Sequence, residues 1–120
     1  CIYVNAGHSS PILYRARTNT TEMLESTGNI IGPFPDQIFR SEGMMIGKGD
    51  ILLLFTDGVS EAMDSAGNQY TERRLIEKLS ELKNKTPKDI AGSLLEDVQK
   101  FSAKSKYSDD KTVVVIKRIK

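Results

Sequence analysis

The chain has 120 residues and a mass of 13.3 kDa, the size of one ordinary domain or a piece of a larger one. With 38% hydrophobic and 28% charged residues, 4 Pro and 9 Gly, it is neither a disordered tail nor a collagen-like or low-complexity segment. The longest apolar run, Ile51 to Phe55, is far short of the roughly 20 residues that span a bilayer, so a soluble chain with no membrane segment is expected.

The formal charge of +1 gives no field that would demand nucleic acid or a membrane surface. The two parts differ: residues 1–70 hold 4 basic and 8 acidic side chains, residues 71–120 hold 13 and 8. An acidic, loop-rich part therefore precedes a basic, helix-rich one. The single cysteine, Cys1, can form no internal disulfide and no thiolate metal site, which makes a reducing cytoplasm the expected setting. The chain opens directly on the β-prone stretch Ile2-Tyr3-Val4, as expected of the C-terminal portion of a longer polypeptide.

Ile2 to Val4 and Pro11 to Arg15 are β-prone runs separated by the turn formers Asn5 to Ser10, which predicts a hairpin. Thr18 to Thr21 is a second polar turn, followed by a short strand over Glu22 to Glu25. Gly28 to Asp36 contains Pro33 and Pro35 and is irregular. Phe39 to Ile46 reads as a strand broken at Gly43. Gly47-Lys48-Gly49-Asp50 then turns the chain into Ile51 to Thr56, whose apolar run predicts a central strand covered on both faces. Thr71 is the expected cap of a first long helix, with Leu75, Ile76, Leu79 and Leu82 on one face. Thr86-Pro87-Lys88-Asp89 sets a hydroxyl cap, a proline at the first helical position and an acid near the positive end of the dipole. Ile90, Leu94, Leu95, Val98 and Phe101 form the buried stripe of that second helix. A β-branched strand over Thr112 to Ile116 closes the chain. Strands, helices and a final strand make an α+β fold with antiparallel sheet.

Two superficial motifs fail. In Gly43 to Lys48 three residues separate the glycines, too few for a phosphate-binding loop, and Gly49 follows where a hydroxyl should hold magnesium. Asp64 to Asn68 opens like a calcium loop but lacks its oxygen ligand at Ala66 and its glycine at Gln69, so a surface turn is expected. The one histidine, His8, lies beside Ser9 and Ser10, but neighbours within one turn are poorly placed to form a nucleophile and oriented base. A structural histidine that pins its loop is the expectation.

Two acidic clusters remain. Thr56-Asp57-Gly58 ends the buried strand, and Ser108-Asp109-Asp110-Lys111-Thr112 opens the last one. If those strands are neighbours, Asp57 and Asp109 lie side by side, an oxygen-only ligand set suited to magnesium or manganese. On spacing alone, Asx turns that end strands are the commoner use of such aspartates.

Read together, the fragments carry a resemblance. Asn5-Ala6-Gly7-His8 with Pro11, Gly49-Asp50 leading through Leu52 to Phe55 into Thr56-Asp57-Gly58-Val59-Ser60-Glu61-Ala62, then Gly67, Tyr70 and Arg74-Leu75, then Asp109 to Val115, follow in order over almost the whole chain. They resemble the SpoIIE-like (RsbU-type) branch of the metal-dependent PPM protein serine/threonine phosphatases, which includes bacterial enzymes acting on anti-sigma factor antagonists.

The resemblance implies a sandwich of two antiparallel sheets flanked by helices, α/β/β/α, with two divalent cations, Mn2+ or Mg2+, at one end. It implies that a metal-activated water attacks the phosphorus of phosphoserine or phosphothreonine and that no further catalytic side chain is required. Paired cations would lower the pKa of that water and neutralise the phosphoryl oxygens. Asp57 and Asp109 match metal-binding aspartates of the family. Asp110 matches a neighbour expected to support the ligands by hydrogen bonds, and Gly58 lets the backbone pass close to the metals.

The family's first metal-binding motif, a Gly-Asp-x-x-Asp type sequence, is not found before Asn5. The expectation is thus that residues 1–120 form the C-terminal portion of one such domain, inactive alone, in a parent that acts on a phosphorylated regulatory protein in bacterial signal transduction. A catalytically degenerate domain of the same fold that binds a phosphoprotein or senses a signal is the first alternative. A basic interaction module built on Lys100, Lys104, Lys106, Lys111, Lys117, Arg118 and Lys120 is the second. Ile2, Val4, Leu53, Phe55, Val113 and Val115 are expected on an inner sheet face left without partners, which would favour pairing with a second copy as a homodimer.

Overall fold

A computed structural model describes residues 1–106 and 109–120. The elements in chain order are β1 (Ile2–Tyr3), β2 (Ile12–Arg15), β3 (Thr20–Met23), β4 (Glu42–Gly43), β5 (Ile51–Phe55), α1 (Asp57–Ser60), α2 (Thr71–Leu82), α3 (Pro87–Phe101) and β6 (Val113–Lys117). β3, β2, β5 and β6 form one antiparallel sheet in that order, and β1 pairs with β4 in a second, two-stranded antiparallel sheet.

The predicted central strand is central. β5 lies between β2, with Ile12 opposite Leu53, and β6, with Leu53 opposite Val115. Because side chains alternate across a strand, Ile51, Leu53 and Phe55 enter one core together with Ile12 and Tyr14, while Leu52 joins Leu13 and Leu24 on the other face. Helices α2 and α3 cover the first face with Leu75, Leu79, Ile90, Leu94 and Val98, all fully buried. Burying each such aliphatic side chain contributes about 1.5–3 kcal/mol. Truncation of Leu53, fully buried at the centre, to Ala should cost about 2–5 kcal/mol.

Local signals explain α3 better than α2. Thr86 caps α3 as predicted: its hydroxyl accepts from the Asp89 amide at 3.2 Å, with Pro87 at the first helical position. At α2 no side chain caps the start, and the cap position falls on Tyr70 instead of Thr71. Thr71 is itself the first helical residue, with φ of 70°, a costly conformation for a β-branched side chain. Tyr70 compensates by tertiary contacts. Its hydroxyl donates to Asp97 Oδ2 at 2.6 Å, its ring meets Phe101 edge to face, and the Arg74 guanidinium lies 4.5 Å from the Phe101 centroid. Burial first, and then the Asp97 carboxylate, push the Tyr70 hydroxyl above its ordinary pKa.

The predicted hairpin of β1 with β2 does not form. β2 turns back through Ala16 to Asn19 into β3, with Arg15 opposite Thr20, whereas β1 pairs across the chain with β4, Ile2 opposite Gly43. The Asn5–Ser10 segment folds on itself and on residues 26–28 through Asn5, so it cannot act as a hairpin turn. The strand expected over Phe39 to Ile46 shrinks to Glu42–Gly43.

The unpartnered apolar face also differs from expectation. Leu53, Phe55, Val113 and Val115 all point toward the helices. Tyr3 and Met44, from the small sheet and its flank, pack with Leu54 over the opposite face. On that side Val114 and Ile116 stay 48% and 49% exposed, and Ile2 of the small sheet 76%. The period of two assigns each β-branched residue to a face, but the side on which the helices pack is a tertiary choice. No helix among the described residues is long and apolar enough to cross a membrane.

Candidate metal centre

The end of β5 and the beginning of β6 converge, as the two acidic clusters require. Phe55 pairs with Val113, and beyond that pair the Thr56 amide donates to the Thr112 carbonyl at 3.1 Å. Asp57 opens α1, a single turn closed by Val59 N–H to the Thr56 carbonyl at 2.9 Å and Glu61 N–H to the Asp57 carbonyl at 2.8 Å. Asp109 and Asp110 lie against this turn. A β-carbon built on Gly58 would collide with the Asp110 carbonyl oxygen and meet Asp109 Cβ at 3.4 Å. Gly58 is buried, and no other residue fits that crossing without displacing one of the two acidic segments.

The carboxylates themselves are lightly engaged. Asp57 Oδ1 accepts from the Gly58 amide at 2.8 Å, and Asp109 Oδ1 from the Asp110 amide at 2.7 Å. Each bond goes to the amide of the very next residue, one position short of an Asx turn. Both residues are exposed and retain free oxygen lone pairs. All-oxygen donors beside a glycine crossing fit a hard divalent cation. Among the described residues no group of three His, Cys, Asp or Glu that could hold a metal ion gathers. Ser108, at the head of the second cluster, lies outside the described residues.

His8 is not the pin of its loop. Its ring is exposed, with Nδ1 3.2 Å from the Ser9 carbonyl, and the pinning falls to the buried Asn5. Asn5 Oδ1 accepts from His8 N–H at 2.8 Å, and its Nδ2 donates to the His8 carbonyl at 3.1 Å. The antiparallel register of β2 against β5 sets this loop at the same end of the sheet as Asp57.

At the other end of β5, Asp50 is buried and fully engaged. Its carboxylate accepts from Ala16 N–H and Gly47 N–H, both at 2.8 Å, and from Arg15 Nη1 at 3.2 Å. Burial acts against the charge, but the two amides and the guanidinium outweigh it and hold the carboxyl below its ordinary value. The sequence assigns this residue no task beyond its place in the Gly49-Asp50 motif that leads into β5. Asp64 forms the predicted surface turn, accepting from the Ala66 and Asn68 amides.

Antiparallel sheets with helices packed on one of them make an α+β fold that solved phosphatase domains share. The phosphatase domain of the cell fate determinant SpoIIE from Bacillus subtilis, in a manganese-presoaked crystal, superposes with a TM-score of 0.69 at 26% identity, over 98% of this chain and 50% of that one. The family described as stage II sporulation protein E (SpoIIE) matches residues 1–119. The chain belongs to that family, the SpoIIE-like branch of the PPM phosphatases. It is 32% identical to the phosphoserine phosphatase RsbU of B. subtilis strain 168, over 97% of this chain and 34% of RsbU. With the phosphoserine phosphatase RsbP of the same strain the identity is 31%, over 95% of this chain and 26% of RsbP. The chain thus spans about a third of the length of RsbU and about a quarter of that of RsbP.

Proposed function

We propose that the protein carrying this chain hydrolyses phosphoserine or phosphothreonine on a regulatory protein of the anti-sigma factor antagonist kind, in the bacterial cytoplasm, with Mn2+ or Mg2+ as cofactor. The observation that carries the reading is the convergence of the Asp57 and Asp109 segments across Gly58 at one end of the sheet, in a family whose relatives here are phosphoserine phosphatases.

In this reading Asp57 and Asp109 hold divalent cations through their free carboxylate oxygens. Gly58 keeps the two segments in contact, and Asp110 fixes the second one through its backbone. Two such cations, when bound, supply charge to neutralise phosphoryl oxygens and to make water a nucleophile at neutral pH. The exposed position of both carboxylates leaves room for a phosphorylated side chain presented by a protein. Since the chain covers half of the related phosphatase domain, we assign the remaining donors to the other half, so the 120-residue piece alone is inactive.

The test is phosphate release from a phosphoserine-bearing anti-sigma factor antagonist by the full-length protein with Mn2+. Release that stops in Asp57→Asn and Asp109→Asn supports the reading. A full-length protein that binds such a substrate without turnover would make it a phosphoprotein sensor instead.

A further inference from the structure

We infer that the Thr56 hydroxyl is a positioning group that holds the two acid-bearing segments in register. The inference rests on the metal-centre reading above, because its effect is exerted through Asp57 and Asp109.

In an antiparallel ladder, every second opposed pair exchanges both backbone hydrogen bonds. At the last rung between β5 and β6 only one of the pair is of that kind, from Thr56 N–H to the Thr112 carbonyl at 3.1 Å. The reciprocal bond from Thr112 N–H does not go to the Thr56 carbonyl, which is turned toward the helix and accepts Val59 N–H to close the turn that begins at Asp57. Thr112 N–H donates instead to the Thr56 side-chain oxygen, at 3.1 Å. The hydroxyl hydrogen is directed to the Asp110 carbonyl at 3.4 Å. One side chain therefore completes the ladder on one side and reaches the residue after Asp109 on the other.

The position makes this use unusual. Thr56 stands at the N-cap of α1, where a threonine hydroxyl ordinarily accepts from an amide in the first turn, yet it makes no such bond here. Its capping capacity is diverted across the sheet. The chain can then leave β5 abruptly into the turn that presents Asp57 without releasing the strand that presents Asp109. The requirement is for a hydroxyl on a short branch: serine satisfies it, and valine, with the same shape, does not.

The experiment compares Thr56→Val and Thr56→Ser with wild type in the full-length protein. It measures Mn2+ affinity by calorimetry, phosphate release with kcat and KM resolved, and hydrogen exchange of the Thr112 amide. Losing a group that orients metal ligands typically costs about 10–100-fold in metal affinity. The expected result is at least about a tenfold loss of Mn2+ affinity and faster Thr112 exchange in Thr56→Val, with kcat falling more than KM rises. Thr56→Ser restores all three to within about twofold. Unchanged Mn2+ affinity in a folded Thr56→Val protein overturns the inference while leaving the phosphatase reading intact, as does a Thr56→Ser variant as weak as Thr56→Val. If Thr56→Val does not fold, Thr56→Ser decides alone: wild-type Mn2+ affinity with a protected Thr112 amide supports the role, and loss of either overturns it. A wild-type protein that neither binds Mn2+ nor releases phosphate overturns both readings together, a pattern distinct from the others.

Discussion

Two aspartates stand at the two ends of the β5 region, and their surroundings are opposite. Asp50, before the strand, has a side chain only 6% exposed and is bound by two amides and a guanidinium. Asp57, after it, is exposed and takes one bond from its own neighbouring amide. A carboxylate whose acceptor sites are filled by the protein is a structural fastening, whereas one left open at the meeting of two strands is available to an external cation. The same residue type at the two ends of one strand is thus fastened into the fold at one end and left open to solvent at the other.

The sharpest way to break this contrast is to neutralise each acid and compare. Asp57→Asn and Asp109→Asn should each lower phosphoserine hydrolysis by the full-length protein on the order of a thousandfold, because metal ligands act as a unit. Their melting temperatures without metal should stay near wild type. His8→Ala, at the same end of the sheet but with an exposed ring, should keep most of the rate. A His8 variant as inactive as the aspartate variants would assign chemistry to the imidazole.

Gly58→Ala tests the crossing itself. The new methyl must displace the Asp110 carbonyl, so both stability and Mn2+ affinity should fall, the former by about 1–3 kcal/mol as for other overpacked sites. Denaturant unfolding and metal titration of one sample measure the two. A variant that loses neither would show that the two segments do not need their close contact.

Asp50→Ala should do the reverse of Asp57→Asn. It leaves the Ala16 and Gly47 amides and Arg15 without their acceptor, at a cost of about 2–4 kcal/mol, with Mn2+ affinity changed little in the protein that remains folded. Its pH signature follows from the direction of its shift. A carboxyl held below its ordinary value of 3.8 contributes its full stability above that pH and loses it as the pH falls through the lower, folded-state value. Wild type should therefore lose stability in this acid range more steeply than Asp50→Asn. Equal acid slopes in the two proteins would mean that Asp50 is not the fastening.

Thr86→Ala is the smallest of these effects, about 1 kcal/mol for a lost N-cap. It lies on the helix layer beside Lys85, which meets Lys117 at the end of β6 opposite Asp57 and Asp109, and should leave hydrolysis unchanged. Measured beside Gly58→Ala, it separates a general loss of stability from one that reaches the metal centre.

The elements were legible in proportion to how local their causes are. The α3 cap, the buried stripes of both helices, the central β5 and the strand β6 each follow from spacing and from residues adjacent in the chain. The β1–β2 hairpin failed because Asn5 bonds to residues more than twenty positions away, which no turn propensity registers. Thr71 was read as a cap from its hydroxyl, but the start of α2 is held by Tyr70 through Asp97 and Phe101 on the next helix. Asp57 and Asp109 are noticed together as acidic turns at strand ends, but it is the order of family motifs around them, not their spacing, that selects them as ligand candidates. Thr56 and Asp50 could not be assigned roles, since their partners, Thr112 in one case and Ala16 and Gly47 in the other, are fixed by pairing and loop geometry.

The residue string alone carries the α+β class, the apolar run that gives β5 two buried faces, the capping of α3, and the order of motifs that marks the SpoIIE family. Those properties depend on covalent neighbours and on periods of two and 3.6 residues, which a linear string records. The tertiary structure alone decided which face of β5 and β6 the helices cover, which strand β1 joins, and that Gly58 is the point at which the Asp57 and Asp109 segments touch. These are contacts between residues far apart in the chain. They depend on the packing of the whole sheet and its helices, because burial rewards any arrangement that hides apolar surface and only simultaneous close packing selects one of them.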